Sequence, residues 1–422
     1  MTLVAPSPVV RDVATASRAI RAAAVTAPGT GQGATLALDR IGLELERFVL
    51  DPVAPYAPVR IERTRAALHN VLPLPGGSTV TYEPGGQLEL STPPAADLDL
   101  CAALLETDLR VVDRALAEAG LVTLALGSDP VRPAKRLLDE PRYEAMQDYF
   151  DSSWPAGRSM MCSTAALQIN LELGDPADDG SGPQSVPARW RRSHLVGPVL
   201  LAAFANSPRL HGQATGYVSS RAQVWSRIDR RRTRPVGGPD PAAAWSAYAL
   251  RAGVMFTRQP DGRCVPVPDG ITLADWAAGR TDLRPLQAED VAYHLTTLFP
   301  PVRPRGFLEL RFLDTLPAPW WQAAAAITTA VMNDSETALL AEDACRDLPG
   351  GSAWSRAGSR GLRDPAIAAA AKTVLRAVPA ALPRIGAARL DGAVIDFTDR
   401  FTERGRCPAD DVLAPDLSGV PS

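Results

Sequence analysis

Glu44 and Glu46 stand two residues apart in the alternating segment Ile41-Gly42-Leu43-Glu44-Leu45-Glu46. Side chains of a β-strand point alternately to its two faces, so Ile41, Leu43 and Leu45 share one face and Gly42, Glu44 and Glu46 the other. Residues at i and i+2 lie roughly 6.5 to 7 Å apart. Two carboxylates at that separation in a sheltered place repel each other unless a cation is shared nearby. Magnesium meets that need, because it takes oxygen ligands in octahedral geometry and completes its shell with water and substrate phosphates. A few scattered carboxylates suffice, with no dedicated protein cage.

Three more segments share this pattern. Gln87-Leu88-Glu89-Leu90 follows the turn Glu83-Pro84-Gly85-Gly86 and sets Gln87 and Glu89 opposite Leu88 and Leu90. Leu167 to Leu173 presents Gln168, Asn170 and Glu172 on one face, and Leu308 to Phe312 presents Glu309 and Arg311. Any half-solvated strand turns polar residues outward, so none of these is decisive alone. Together they are unusual: exposed strand faces favour Thr, Lys and Arg, whereas these carry almost only Glu, Gln and Asn. Such a face suits a hard cation.

Around these strands, helical periodicity runs through Leu98–Ala119, Ala188–Ala205, Ala242–Ala252, Asp290–Phe299, Pro319–Ala344 and Pro365–Val378. Asp261-Gly262 between two short apolar runs signals a tight hairpin. The chain divides into an N-terminal helix (about Val9 to Ala24) and linker over 1–33, a single domain over 34–405 and a tail over 406–422. Gly29–Gly33 reads as linker; no strand precedes it and it lacks dinucleotide-fingerprint spacing. No internal repeat is present.

Composition excludes several classes of function. The 422 residues carry a net charge of −3, which gives no global field to collect nucleic acid or an anionic membrane. Only Lys135 and Lys372 are lysines among 44 basic residues, so arginine abundance says little about function. The five cysteines are scattered without C-x-x-C spacing, as expected of a reduced cytoplasmic protein. The apolar stretches Leu195–Ala205 and Trp320–Met332 are shorter than the roughly 20 residues of a membrane span. The four histidines lack H-x-x-x-H spacing, and neither a nucleophile elbow nor a P-loop occurs. The arginine run from Arg227 to Arg234 reads as a solvated loop or, alternatively, a contact for phosphates; nucleic acid is disfavoured by the overall charge and the lack of interleaved aromatics.

Six ordered motifs resemble those of the glutamate-cysteine ligases, in the branch that joins plant enzymes with actinobacterial ones from ergothioneine biosynthesis. Gly42-Leu43-Glu44-Leu45-Glu46 is similar to the family's G-x-E-x-E strand, and Glu83 to Ser91 to its E-P-G-G-Q-x-E-L-S motif. Arg142-Tyr143, Met160-Met161 with Gln168 to Leu171, Phe204 to Pro208 with Gly216-Tyr217, Arg221 and Trp225, and Leu308 to Arg311 follow in family order. The chain departs from plant-like relatives in Trp225 to Arg232.

The resemblance implies an α+β fold: a curved, mostly antiparallel β-sheet with helices on its convex face, a glutamine-synthetase-like carboxylate-amine ligase domain. It implies formation of γ-glutamylcysteine from L-glutamate, L-cysteine and ATP through γ-glutamyl phosphate, with two or more Mg2+ ions and ATP as co-substrate, supplying ergothioneine biosynthesis. The metal candidates are Glu44, Glu46, Glu83, Glu89 and Glu309. Arg311 and Glu309 are the catalytic candidates, Gln168, Asn170 and Arg232 the nucleotide candidates, and Arg221 with Tyr217 the candidates for the α-carboxylate of glutamate. The expected partners are these small molecules alone, with no nucleic acid or membrane, acting on a monomer or weak homodimer. A ligase for a different amine acceptor is the nearest alternative. A non-catalytic glutamate or nucleotide binder is another, opposed by the complete carboxylate set.

Overall fold

The computed structural model describes residues 8–26, 40–175 and 180–412. Their centre is one antiparallel sheet. Its strands are β1 (Ile41–Leu50), β2 (Thr79–Tyr82), β3 (Leu88–Ser91), β4 (Val122–Leu124) and β5 (Ala166–Glu172). Two short hairpins off the sheet follow, β6 (Arg209–Leu210) with β7 (Gln213–Ala214) and β8 (Phe256–Arg258) with β9 (Cys264–Pro266), before β10 (Val302–Pro304) and β11 (Phe307–Asp314) complete it. The order is β10-β11-β5-β1-β3-β2, with β4 beside the outer half of β1. The four alternating segments are thus four adjacent strands.

Their apolar faces form one surface. Leu43, Leu45, Leu88, Leu90, Leu167, Ile169, Leu308 and Leu310 are all at most 1% exposed. They join one core with the helices Leu98–Glu118, Val186–Ala203 and Trp320–Asn333. Full burial of each such side chain contributes about 2 kcal/mol. A one-residue slip of any strand would turn its apolar set to the polar side, so register is strongly specified. The other face carries the polar set. It is partly covered by the helices Pro141–Ser153, Gly157–Cys162 and Ser220–Ser226, held together by a second apolar cluster including Met146, Phe150, Met161 and Val224.

The expected helices form, with one division. The periodic stretch from Pro319 to Ala344 is two helices, Trp320–Asn333 and Ser335–Cys345. Asp334 breaks it with extended backbone, its carboxylate accepting from the Thr337 amide at 3.0 Å and pairing with Arg384 at 2.7 Å. Both halves bury apolar faces, so the periodicity runs through the break unaltered. The Asp261-Gly262 turn joins β8 to β9, with Gly262 at φ +87°.

The first helix is Val13–Val25, capped by Asp12, and it docks on the main body through buried Ile20 and a Ser17–Ser246 hydrogen bond of 2.8 Å. Gly29–Gly33 lies outside the described residues. At the other end, Cys407 and Ala409 are buried beside Ala205 and Val218, so packed structure continues past residue 406. The segment Pro365–Ile385 is long and apolar enough by composition to cross a bilayer. Here its stripe of Ile367, Ala371, Val374 and Val378 is buried in the core against neighbouring helices.

Candidate active site

Antiparallel register aligns the polar residues in rows across the sheet. Thr81, Glu89 and Glu46 are successive cross-strand partners, Gln168 faces Glu44, and Arg303, Glu309 and Asn170 make a third row. A cavity of about 260 Å³ lies over these rows, with Glu44, Glu46, Glu83 and Glu89 in its wall.

Glu46, Glu83 and Glu89 each bring a carboxylate oxygen within 4.8 Å of the other two. Two come from facing strands. The third comes from the turn ahead of β3, closed by hydrogen bonds from Gly86 N to Glu83 O at 2.8 Å and from Glu83 N to Gln87 O at 2.9 Å. Both glycines of this turn have a steric cause. Gly86 has φ +82°, and a Cβ on Gly85 would stand 2.3 Å from the Cys162 carbonyl oxygen. Gln87 fixes the turn to the chain beyond it, its amide donating to the Thr164 carbonyl at 2.8 Å.

The carboxyls are poorly placed to ionise alone. Burial, then the charges of Glu83 and Glu89, raises Glu46 well above the usual carboxyl range. Burial, then Glu89, pushes Glu83 up to about 7, and burial, then Glu309 and Glu89, pushes Glu44 to about 7. The Gln87 Oε1 in the same wall is buried without a hydrogen-bond donor. A set of mutually repelling oxygens with an orphaned acceptor beside them fits a hard divalent cation.

Opposite the acids stands a wall of guanidiniums. Arg311 donates to Gln168 Oε1 at 2.5 Å, and Gln168 in turn donates to Glu46 at 3.1 Å, which ties cation to acid through one amide. A β-bulge produces this placement. Leu310 pairs with Ile169 but Leu313 with Leu167, so β11 carries one residue more than β5 between these pairs. The apolar alternation resumes at Leu313, while Arg311 and Phe312 both line cavities on the open side. Arg221, 95% buried, donates to the Arg311 carbonyl at 2.6 Å and leaves its Nε without a partner.

Asp314 locks this wall to the sheet. It accepts from the Asn206 amide at 2.8 Å, Ser207 Oγ at 2.6 Å and Ser219 Oγ at 3.0 Å. Ser219 caps the helix that carries Arg221 and Trp225. The sequence reading missed Asp314, although unbroken alternation from Leu308 would have put this carboxylate on the apolar face, a signal that the strand shifts register before it.

Several expectations are corrected. Arg232 does not reach the site: it is fully buried, donating to Thr297 Oγ1 at 2.9 Å and to the Gly253 carbonyl, and pairing with Asp229 at 3.4 Å. Its role is to join three segments of the second layer. Glu309 is not a free metal ligand, because both its oxygens are taken by arginines: Arg303 in a two-pronged pair, Arg305 at 3.2 Å and Arg311 at 3.4 Å. Burial opposes its ionisation, but Arg303 and Arg311 prevail and hold its carboxyl far below the usual range. Glu44 lies outside the three-oxygen group and accepts from Asn170 at 2.9 Å. Gln168 and Asn170 are thereby engaged with carboxylates of the sheet. Tyr217 lies with Arg221 in a neighbouring cavity. Arg303 and Arg305 went unread in the sequence; the Val302-Arg303-Pro304 strand is short, and only its pairing with β11 brings Arg303 opposite Glu309.

Residues 40–416 match the glutamate-cysteine ligase family 2 (GCS2). Glutamate–cysteine ligase EgtA of Mycolicibacterium smegmatis is 41% identical over 382 residues, covering 89% of this chain and 86% of that protein. The protein of the same name from Mycobacterium tuberculosis (strain H37Rv) is 40% identical over 383 residues, 89% of this chain and 85% of its own. The chloroplastic glutamate–cysteine ligase of Medicago truncatula is 29% identical over 68% of this chain and 59% of its own length.

Proposed function

The chain belongs to the glutamate-cysteine ligase family 2, and from that membership we propose that it joins the γ-carboxylate of L-glutamate to the amine of L-cysteine at the expense of ATP. The observation that carries the reading is the three-carboxylate cluster of Glu46, Glu83 and Glu89 facing a guanidinium wall across one cavity.

A carboxylate does not condense with an amine in neutral water, so it must first be activated. The glutamate γ-carboxylate attacks the ATP γ-phosphorus, the bond to the bridging oxygen breaks, and ADP leaves. The cysteine amine then attacks the γ-carbonyl carbon; a C–N bond forms, the C–O bond to phosphate breaks, phosphate departs with the electron pair, and the nitrogen gives up a proton. Glu46, Glu83 and Glu89 would hold magnesium, with Glu44 the nearest further carboxylate on β1, and we propose two or more ions. Bound magnesium offsets the charge of the triphosphate and of the phosphoryl group in transit. Arg311, fixed by Gln168 and Glu309, presents a permanently charged fork to that group. Arg221 receives the α-carboxylate of glutamate, with Tyr217 close by.

The likeness to the two mycobacterial EgtA proteins supports entry of the product into ergothioneine biosynthesis. Five free cysteines are in keeping with a reducing cytoplasm. The site is built within one chain, which suits a monomer or weak homodimer.

The test is direct. Purified protein with ATP, magnesium and glutamate is offered amino acids singly while ADP release is followed. Cysteine should stimulate release most. Stimulation by another amine and not by cysteine would refute the acceptor assignment.

A further inference from the structure

Among the described residues, Glu89 is the one member of the carboxylate cluster that accepts from hydroxyl groups. Thr81 Oγ1 donates to its Oε1 at 2.7 Å, and Ser91 Oγ reaches the same oxygen at 3.4 Å. Oε2 accepts from no described residue. The placement of Thr81 follows from the edge strand that carries it. Val80 and Tyr82 of β2 pack against the core, so alternation puts Thr79 and Thr81 on the polar face. Register then sets Thr81 directly opposite Glu89, and Glu89 directly opposite Glu46. Along its row Glu89 is flanked by a hydroxyl on one side and a carboxylate on the other.

A carboxylate that is to hold a cation needs its direction fixed and its charge left in place. A charged donor achieves the first and undoes the second, as Glu309 shows with both oxygens taken by arginines. A threonine hydroxyl donates one hydrogen bond and brings no charge. Its β-branched side chain is also stiff about χ1, so the hydroxyl is held in one direction. Groups that hydrogen-bond a metal-binding side chain orient it, and losing one weakens metal affinity roughly 10- to 100-fold.

Resting on the reading of Glu46, Glu83 and Glu89 as magnesium ligands, we propose that Thr81 is a positioning residue for the metal: its hydroxyl engages Oε1 of Glu89 and leaves Oε2 to the cation shared with Glu46 and Glu83. Thr81 itself is not a ligand. It acts through Glu89, from the strand at the edge of the sheet. Ser91 at 3.4 Å is the weaker of the two donors, so the orientation of Glu89 depends chiefly on Thr81.

The experiment compares wild type with Thr81→Val, which removes the hydroxyl and keeps the branched shape, and with Thr81→Ser, which keeps the hydroxyl. Mn2+ binding is titrated without substrates through its electron paramagnetic resonance signal. Thr81→Val should bind Mn2+ about tenfold more weakly than wild type, and Thr81→Ser should stay within about threefold of it. The magnesium concentration for half-maximal turnover should shift in parallel, while the KM for glutamate at saturating magnesium moves less than about twofold. Thr81 is exposed, so folding should persist and melting temperatures in chelator should nearly coincide. Wild-type Mn2+ affinity in Thr81→Val would overturn the proposal. So would a Thr81→Ser protein as weak as Thr81→Val, which would assign the effect to side-chain shape. Absence of Mn2+ binding in wild type would refute the cation site and this proposal with it. Mn2+ binding without formation of γ-glutamylcysteine would count against the ligase reading, and the comparison of Mn2+ affinities would still decide the role of Thr81.

Discussion

Replacing Glu46 with Gln separates what this carboxylate does for the fold from what it does for a cation. Glu46 accepts from the Ala166 amide at 2.8 Å and the Gln168 amide at 3.1 Å, and it lies within 4.8 Å of oxygens of both Glu83 and Glu89. At that distance each repulsion is worth about 1 kcal/mol in bulk water and about 3 at an effective dielectric near 20. The amide keeps one of the two accepted hydrogen bonds and loses the other, a cost of about 1–3 kcal/mol. With metal chelated at about pH 8, the net outcome for Glu46→Gln is a stabilisation of about 1–3 kcal/mol. Because burial and the charges of Glu83 and Glu89 raise the Glu46 carboxyl, lowering the pH to about 5 favours its protonated form and removes the repulsion to relieve, so the variant should lose its advantage and become the less stable of the two. Thermal unfolding in chelator at both pH values reads the two signs. Titration with Mn2+, followed by its electron paramagnetic resonance signal, should show affinity reduced about 100-fold or more, which is about 2.7 kcal/mol. If Glu46→Gln were equally destabilising at both pH values, the carboxylate would be a structural acceptor, and the reasoning from charge would fail.

Two further outcomes are expected. Glu44 and Glu83 have native carboxyls raised to about 7 against 4.5 for the ordinary group. The native state therefore binds more protons than the unfolded one in that window, so metal-free stability should fall as pH rises from about 4.5 through about 7, by a few kcal/mol in all. Saturating magnesium should flatten this decline in a melting-temperature series, and a metal-free stability that rises across the window would contradict the assignment. Arg232→Met should cost about 1–3 kcal/mol, because it empties a buried set of hydrogen bonds to Thr297 and Gly253, while Asp229 keeps Arg231 at 3.0 Å and Tyr149 at 2.7 Å. The KM for ATP of the folded fraction should stay within about twofold; a stable variant with a greatly raised KM for ATP would restore Arg232 to the nucleotide site.

Much of this was determined by the sequence itself. Period-two alternation around Glu44, Gln87, Gln168 and Glu309 placed the acceptors on one face of a sheet, because the side-chain period of a strand admits no other arrangement once Leu43, Leu90, Ile169 and Leu310 are buried. The two glycines after Pro84 marked the turn that carries Glu83. Three things belonged to tertiary structure alone. Which carboxylates cluster depended on strand order and register, and these bring Glu46, Glu83 and Glu89 together while assigning Glu309 to three arginines. The bulge that brings Arg311 and Phe312 to one side is a one-residue mismatch between β11 and β5, invisible in either strand alone. The arginine run looked uniform from Arg227 to Arg234, and only packing divided it: Arg232 faces Asp229 inside the second layer, while Arg230 and Arg234 line the neighbouring cavity. Local spacing sets the face of each side chain, but what meets it across that face is decided by segments distant in the chain.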